Sequence, residues 1–279
     1  MSTDLFTLIT FLGSVLAGML GALTGMGGGV IVIPLLTLGL GVDFHYAIGA
    51  ALVSVIATST GSAAAYVREG ITNIRIGIFL EVATTIGAVL ASVWLTTVLP
   101  KQSLAIIFGL VLVLSVFLNL RRRSSIKEVE HAGSLAARLR LNGSFVEQGQ
   151  LRQYSVTNVA GGFLMMLVAG VISGLLGIGS GALKVLAMDN IMRIPFKVST
   201  TTSNFMIGVT ATASAVVYFQ KGYILPGIAA PVMLGVLVGA MAGAKILVRL
   251  QTKWLRLGFS IVVTYLAIQM IYNGVSGKI

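Results

Sequence analysis

The stretch Thr24-Gly25-Met26-Gly27-Gly28-Gly29 recurs 152 residues later as Leu176-Gly177-Ile178-Gly179-Ser180-Gly181. Each of these two glycine clusters is followed by a short apolar run, at residues 30–40 and 182–191. The runs hold 11 and 10 residues, whereas a helix needs about 20 to cross a bilayer core. Glycine tolerates positive φ and close backbone approach, so each cluster can reverse the chain within the membrane. We therefore expect two half-membrane helices, each preceded by a chain reversal.

The repetition extends beyond the clusters, so the chain holds two copies of one unit. The same shift of 152 positions aligns further identical residues without a gap. These pairs are Gly18 with Gly170, Thr58 with Thr210, Tyr66 with Tyr218, Gly87 with Gly239, and Lys101 with Lys253. Internal duplication of this kind is typical of secondary transporters.

The composition excludes a water-soluble globular domain. Of the 279 residues, 56% are hydrophobic and only 10% are charged, and the mean hydropathy is +0.99; soluble domains carry about 25% charged residues. Eight apolar runs approach or reach membrane-spanning length. They are residues 5–23, 47–66, 74–98, 104–120, 158–176, 199–219, 225–250 and 255–272. The first ten residues hold no Lys or Arg, so we expect no cleaved signal peptide and a multi-pass protein of the cytoplasmic (inner) membrane.

The distribution of positive charge predicts the orientation. If each cluster turns the chain back, three spans follow in each half, and the second repeat is inverted. With residues 121–154 in the cytoplasm, this model places 14 Lys and Arg inside and 3 outside, against 11 and 6 if each hairpin crosses once. Positive charge concentrates on the cytoplasmic side, so the hairpin model is favoured. The predicted fold is an all-α integral membrane protein with two inverted-topology repeats, each a re-entrant Gly-rich helical hairpin plus three transmembrane helices.

The polar connector divides the predicted domains. These are a first transmembrane repeat at residues 1–120, a cytoplasmic connecting loop at 121–154, and a second transmembrane repeat at 155–279. Leu135, Leu139 and Leu141 alternate with Arg138 and Arg140 in the loop, which allows a short helix on the membrane surface. The simpler interpretation is a solvated connector that enforces orientation. The net charge of +11 then suits an anionic cytoplasmic leaflet better than a nucleic acid.

The glycine clusters are also the candidate binding site. A helix N-terminus carries free N–H groups and partial positive charge, so two half-helices can converge on one anion. The candidate positions are Gly27, Gly28, Gly29, Gly179, Ser180 and Gly181. The alternative is that these glycines only allow close helix packing. A phosphate-binding loop is excluded, because no Gly-Lys-Ser/Thr sequence follows.

Several polar residues within the apolar runs have two interpretations each. Thr200, Ser203 and Asn204 can supply donors to anion oxygens, or they can cap a helix and bond between helices. Lys184 can pair with an anionic substrate, or it can snorkel to the lipid headgroups. Glu81 is a candidate for carrying a coupling proton, and it can instead pair with Lys245.

Both halves resemble the TauE/SafE family of membrane permeases, often called sulfite exporters, over nearly the whole chain outside the loop. Its repeats carry Gly-x-Gly-Gly-Gly followed by Pro, as in residues 25–29 with Pro34. In the second half, residues 177–181 and Lys184 resemble the matching stretch, with Ser180 where Gly is usual and Leu186 where Pro is usual. The resemblance implies a carrier for sulfite, sulfonates or other small organic anions.

The residues disfavour an enzyme. The two histidines, His45 and His131, fall in predicted loops, and no HExxH zinc motif exists. We predict a secondary transporter that binds a small sulfur-containing or organic anion, such as sulfite or sulfoacetate, between two half-helix N-termini at mid-membrane. An anion channel or a non-transporting scaffold is the alternative. We expect no cofactor, metal or nucleic-acid partner; the partners are the anion and the lipid bilayer, with a homodimer as a further option.

Overall fold

The computed structural model describes residues 3–24, 27–68, 71–120, 134–147, 150–247 and 252–277. The helices of the first half are α1 (Thr3–Thr24), α2 (Gly29–Pro34), α3 (Phe44–Arg68), α4 (Ile74–Leu90), α5 (Thr96–Val98) and α6 (Lys101–Leu120). The connector holds α7 (Ser134–Arg138), β1 (Gly143–Glu147) and β2 (Gln150–Tyr154). The helices of the second half are α8 (Val159–Leu176), α9 (Gly181–Leu186), α10 (Phe196–Gln220), α11 (Pro226–Leu247) and α12 (Thr252–Val275).

The two halves contain corresponding helices at corresponding positions. The bounds of α2 and α9 differ by the same 152 residues as the glycine clusters, and so do those of α3 and α10. Each short helix continues into one π-helical turn, at Leu35–Gly39 and Ala187–Ile191, again 152 residues apart. The predicted duplication of the short helices is therefore present in the secondary structure.

Glycines let equivalent helices approach closely in the two halves. A Cβ atom on Gly18 of α1 would lie 2.2 Å from the carbonyl oxygen of Val236 in α11. A Cβ atom on Gly170 of α8 would lie 2.1 Å from that of Thr84 in α4. Both contacts connect positions related by the 152-residue shift. The packing of α1 on α11 and that of α8 on α4 therefore use the same contact, a glycine against a backbone carbonyl oxygen. Only glycine fits where a backbone oxygen comes this close.

Five of the described helices are long and apolar enough to cross a membrane. Their windows are Asp4–Gly21, Phe44–Gly61, Ile74–Val98, Val159–Leu176 and Pro226–Gly243. Shorter apolar stretches lie at Gly29–Gly39, Lys101–Phe117 and Ser260–Val275. Helix α10 matches α3 in length, but its first turns are rich in Ser and Thr. The chain thus has the multi-pass helical architecture that its composition predicts.

The connector contains the one departure from an all-α fold among the described residues. Strands β1 and β2 pair antiparallel, with Gly143 opposite Tyr154. Leu141 and Phe145 are buried against the start of α4, where the Asn73 amide donates to the Leu141 carbonyl oxygen at 3.3 Å and to the Tyr154 hydroxyl at 2.7 Å. These residues of the connector therefore fold against α4 and are not a fully solvated loop. The structure shows one short helix, α7, among the described residues of the connector; that it lies on the membrane surface stays a prediction, and residues 121–133 lie outside the described residues.

Candidate functional site

The two glycine clusters meet at the centre of the molecule, between α3 and α10. Gly27 and Gly179 both have positive φ, +78° and +70°. A Cβ atom on Gly29 would lie 3.1 Å from the carbonyl oxygen of Gly177, so the clusters touch each other. The side chains of Val55 and Ile207, at equivalent positions of α3 and α10, pack against both Gly27 and Gly179. The structure therefore brings the N-terminal ends of α2 and α9 together; Gly25 and Met26 lie outside the described residues.

Ser180 gives this meeting point its free hydroxyl group. Its backbone is left-handed, with φ of 45°, and its buried Oγ has no hydrogen-bond partner within the described residues. Ser180 also lines a cavity of about 10 Å³ beside Val30 of α2 and Val111 of α6. That volume suits about one water molecule. A sulfonate group is larger, so an anion can enter only if the clusters move apart.

The polar first turns of α10 lie next to the second glycine cluster, but some of their polar groups already form hydrogen bonds within the protein. The Ser203 hydroxyl donates to the carbonyl oxygen of Gly181 at 3.2 Å and so ties α10 to α9. The Thr200 hydroxyl is buried and has no partner among the described residues. Asn204 is 5% exposed, and its backbone carbonyl oxygen accepts a hydrogen bond from Ser59. Ser203 thus has the interhelical role that sequence analysis weighed against anion binding, while Thr200 keeps a spare donor.

Lys184 does not snorkel to the membrane surface. Its side chain is 0% exposed, and its Nζ lies 3.6 Å from Oε2 of Glu81 in α4. It also donates to the Thr210 hydroxyl, which donates in turn to Oε1 of Glu81. The proposed pairing of Glu81 with Lys245 is therefore replaced by a pairing with Lys184; the Lys245 side chain lies outside the described residues.

Sequence reasoning singled out both charges of this pair but did not join them. Glu81 and Lys184 lie in different halves, and no periodicity relates residues on separate helices. The usable signal was the presence of one acid and one base inside apolar runs, because such charges pair with each other in a membrane. His45 was misplaced as well: it lies in the first turn of α3, buried, with its ring stacked 4.8 Å from that of Tyr223.

Comparison with known protein families identifies the family of this chain. The model of that family, described as sulfite exporter TauE/SafE, matches residues 10–270. The chain belongs to the TauE/SafE family. The TauE/SafE match includes both glycine clusters, Glu81 and Lys184.

Individual TauE/SafE relatives resemble the chain along most of its length. It is 27% identical over 279 residues to the probable membrane transporter protein YunE of Bacillus subtilis (strain 168), covering 97% of this chain and 98% of the relative. It is 27% identical over 241 residues to the probable membrane transporter protein YdhB of the same organism, covering 86% and 89%. A probable membrane transporter protein of Xylella fastidiosa (strain Temecula1 / ATCC 700964) is 27% identical over 273 residues, covering 96% of each chain.

No solved structure matches this TauE/SafE chain with significance. The names of the relatives describe transporters and not enzymes, and they specify no substrate. Together with the apolar helices, the TauE/SafE family makes this protein a multi-pass membrane transporter.

Proposed function

We propose that this protein is a secondary transporter for a small sulfur-containing or organic anion, such as sulfite or a sulfonate like sulfoacetate. The anion binds where the two glycine clusters meet. The observation that carries the proposal is the contact of the clusters beside the buried hydroxyl of Ser180, which has no hydrogen-bond partner among the residues that the structure describes. The binding residues are Gly27, Gly28, Gly29, Gly179, Ser180, Gly181, Lys184, Thr200, Ser203 and Asn204.

The physical argument rests on the N-termini of α2 and α9. The first N–H groups of any helix have no acceptor inside that helix, and each N-terminus is equivalent to roughly half a positive charge. The Gly28 carbonyl oxygen accepts from Ile31 and Val32, and that of Ser180 accepts from Leu183 and Lys184, so both helices start at the meeting point. An anion that leaves water needs donors and positive potential in return. Two helix starts that lie close together would supply both.

The small size of the cavity fits a carrier in a closed state. The cavity beside Ser180 holds about 10 Å³ and so encloses no anion in this conformation. A carrier opens such a site to one side of the membrane at a time, by moving one repeat against the other. In the proposed topology the two repeats are inverted, and α1–α2 and α8–α9 form the re-entrant hairpins. The proposed location is the cytoplasmic membrane.

The topology can be tested by labelling single cysteines, because the native chain has none. We expect cysteines at Asp43 and at the exposed Ser276 to react with an impermeant reagent in intact cells. A cysteine at Arg193 should react only after permeabilisation, since the inverted hairpin model places this positive charge inside. Labelling of Arg193→Cys from outside would contradict the model, with Ser124→Cys in the connector as the cytoplasmic control.

Ligand binding can be tested through the melting temperature of the purified protein. Sulfite, methanesulfonate or sulfoacetate should raise it by mass action, and matched sulfate and carboxylates define the selectivity. Ser180→Leu should abolish the shift, because the side chain would cover the meeting point. Ser180→Gly restores the residue found at Gly28 and should weaken binding by about 1.5–3 kcal/mol, the contribution of a hydrogen bond to a charged group.

The matched control is Thr264→Val in α12, whose hydroxyl already donates to the Ser260 carbonyl oxygen at 2.7 Å. This variant should keep the wild-type response to ligand. If Ser180→Leu also keeps it, the clusters serve packing alone, and the proposed site is wrong.

In proteoliposomes, saturable uptake with counterflow identifies a carrier, whereas uptake without either identifies a channel.

A further inference from the structure

A buried polar cluster joins the two halves of the protein next to the proposed site. We call it the Glu81 cluster; it consists of Glu81, Thr84, Thr85, Lys184 and Thr210. The Lys184 side chain is 0% exposed, and that of Glu81 is 8% exposed. Oε1 of Glu81 accepts from Thr210 and, at 3.2 Å, from Thr85. Oε2 accepts no hydrogen bond within the described residues and lies 3.6 Å from Nζ of Lys184.

The Glu81 cluster lies within about one helical turn of the glycine clusters. The backbone N–H of Lys184 donates to the carbonyl oxygen of Ser180 at 3.1 Å. Thr210 follows Ile207 by three residues on α10, and Ile207 packs against Gly179. Because residues three apart on a helix are neighbours, a change at Ser180 or Gly179 reaches Lys184 and Thr210 directly.

On α2 instead of α9, and on α11 instead of α4, the residues equivalent to Lys184 and Glu81 carry no charge. The positions related to Lys184 and Glu81 by the 152-residue shift are Val32 and Met233. Thr84 corresponds in the same way to Val236. Val32 and Val236 are fully buried in the core, whereas Met233 is 37% exposed. Apolar residues therefore fill the buried equivalents of Lys184 and Thr84, and a buried ion pair is often no more stable than an apolar replacement. Only one of the two equivalent pairs of residues is charged, which indicates a role other than packing.

Lys184 is the charged group that faces Glu81 among the described residues. Helix α8, which packs on α4, contains no charged residue. In α10 the one charged residue is Lys197, which lies 13 positions before Thr210. Arg75 of α4 is exposed, six residues before Glu81. The charge balance at the site therefore depends on one carboxylate and one ammonium group.

We propose that Glu81 and Lys184 couple anion binding to the uptake of one proton. This inference rests on the proposed function. In the empty site, the carboxylate and the ammonium group sum to zero. When an anion enters and pairs with Lys184, Glu81 loses its counter-ion and takes a proton on Oε2. The site then holds a neutral carboxylic acid, an ammonium group and the anion, and again sums to zero.

The driving force is the cost of net charge in a low dielectric. An anion entering without the proton would leave the buried site with one uncompensated negative charge, which is strongly unfavourable. No electron moves, and no covalent bond forms apart from the O–H bond on Glu81. One proton therefore accompanies each monovalent anion, and their joint movement is electroneutral.

The experiment counts protons during binding. Methanesulfonate is a suitable probe because it stays ionised across the useful pH range, so any proton taken up belongs to the protein. Titration calorimetry in buffers with different ionisation heats should give about one proton per anion for the wild type. Over the pH range in which one proton is taken up per anion, the affinity should fall about tenfold for each pH unit. Glu81→Gln keeps Lys184 but has no carboxylate to protonate, so we expect binding with no proton uptake and no pH dependence at every pH at which Lys184 keeps its own proton.

The control acid is Asp43, which forms an ion pair with Lys101 at the surface. Asp43→Asn should keep the wild-type proton count. If Glu81→Gln does not fold, Glu81→Met combined with Lys184→Val reproduces the apolar arrangement of the other half. That double variant should fold but should lose methanesulfonate binding together with proton uptake, because it lacks the ammonium group; methanesulfonate binding with proton uptake in this variant would overturn the coupling role.

The two proposals fail in different ways. Binding by the wild type without proton uptake, or full uptake by Glu81→Gln, overturns the coupling role and leaves the transporter proposal standing. If methanesulfonate, sulfoacetate and sulfite all fail to bind the wild type, the proposed function is wrong, and the coupling role falls with it.

Discussion

Lys184→Met should lower the free energy of unfolding by about 3–5 kcal/mol, the cost of removing one partner from a buried ion pair. The Glu81 carboxylate would keep its hydrogen bonds from Thr210 and Thr85 but would have no counter-ion. Unfolding in mixed micelles, followed by circular dichroism, measures the loss.

Glu81→Met combined with Lys184→Val should recover most of that loss. The pair then matches Met233 and Val32 of the other half, and such replacements of buried ion pairs are often neutral. We expect the double variant within about 1 kcal/mol of the wild type. The contrasting control is Asp43→Asn, because the partly exposed pair of Asp43 and Lys101 should contribute less than about 1 kcal/mol. A double variant as unstable as Lys184→Met would show that the fold requires the charges.

Gly179→Ala should destabilise the meeting point of the clusters much more than Gly27→Ala, although the two positions are equivalent. A Cβ atom on Gly179 would lie 2.2 Å from Cγ2 of Ile207, whereas the nearest atom to one on Gly27 is Cγ2 of Val55 at 3.4 Å. Both substitutions impose positive φ on alanine, which costs about 1–2 kcal/mol. Only Gly179→Ala adds overpacking, at about 1–3 kcal/mol. The expected losses are therefore about 2–5 kcal/mol and about 1–2 kcal/mol.

A double-mutant cycle separates the two causes in this prediction. Ile207→Ala removes the Cγ2 atom that collides with the new side chain. Gly179→Ala with Ile207→Ala should therefore cost less than the two single losses added together. Equal losses at Gly179 and Gly27, with no coupling to Ile207, would mean that backbone strain alone makes these glycines necessary.

Proton coupling would connect these predictions to transport. The single variants change the charge or the packing of the site, whereas the Met–Val double variant changes the charge and keeps the fold. It should therefore be stable, but it lacks the ammonium group that pairs with the anion, so it should bind no anion and take up no proton. That combination of results is not expected from a purely structural ion pair.

Much of the architecture follows from local sequence. Each long apolar helix, and each short helix after a glycine cluster, follows from residues that are close together in the chain. The 152-residue repeat follows from comparing two such stretches of sequence. Helix α10 and its equivalent α3 could be located because their identical residues, such as Thr58 and Thr210, stand in one ungapped register. The hairpin of β1 and β2 was missed because the connector was interpreted as a solvated loop with, at most, a short helix at residues 135–141; contact with Asn73 and burial of Phe145 stabilise the two strands that follow.

The sequence by itself determined that the chain is a duplicated membrane protein with glycine-rich breaks, because hydropathy and glycine placement act locally along the chain. Only the tertiary structure decided that the two clusters touch, that the Ser203 hydroxyl is used between α10 and α9, and that Glu81 pairs with Lys184. Those contacts join residues more than 20 positions apart, and which of them form depends on how whole helices pack. The equivalent residues Val32 and Met233 show the same limit: the sequence shows that only one of the two equivalent places carries charge, and the packing between the halves decides that its two charges meet.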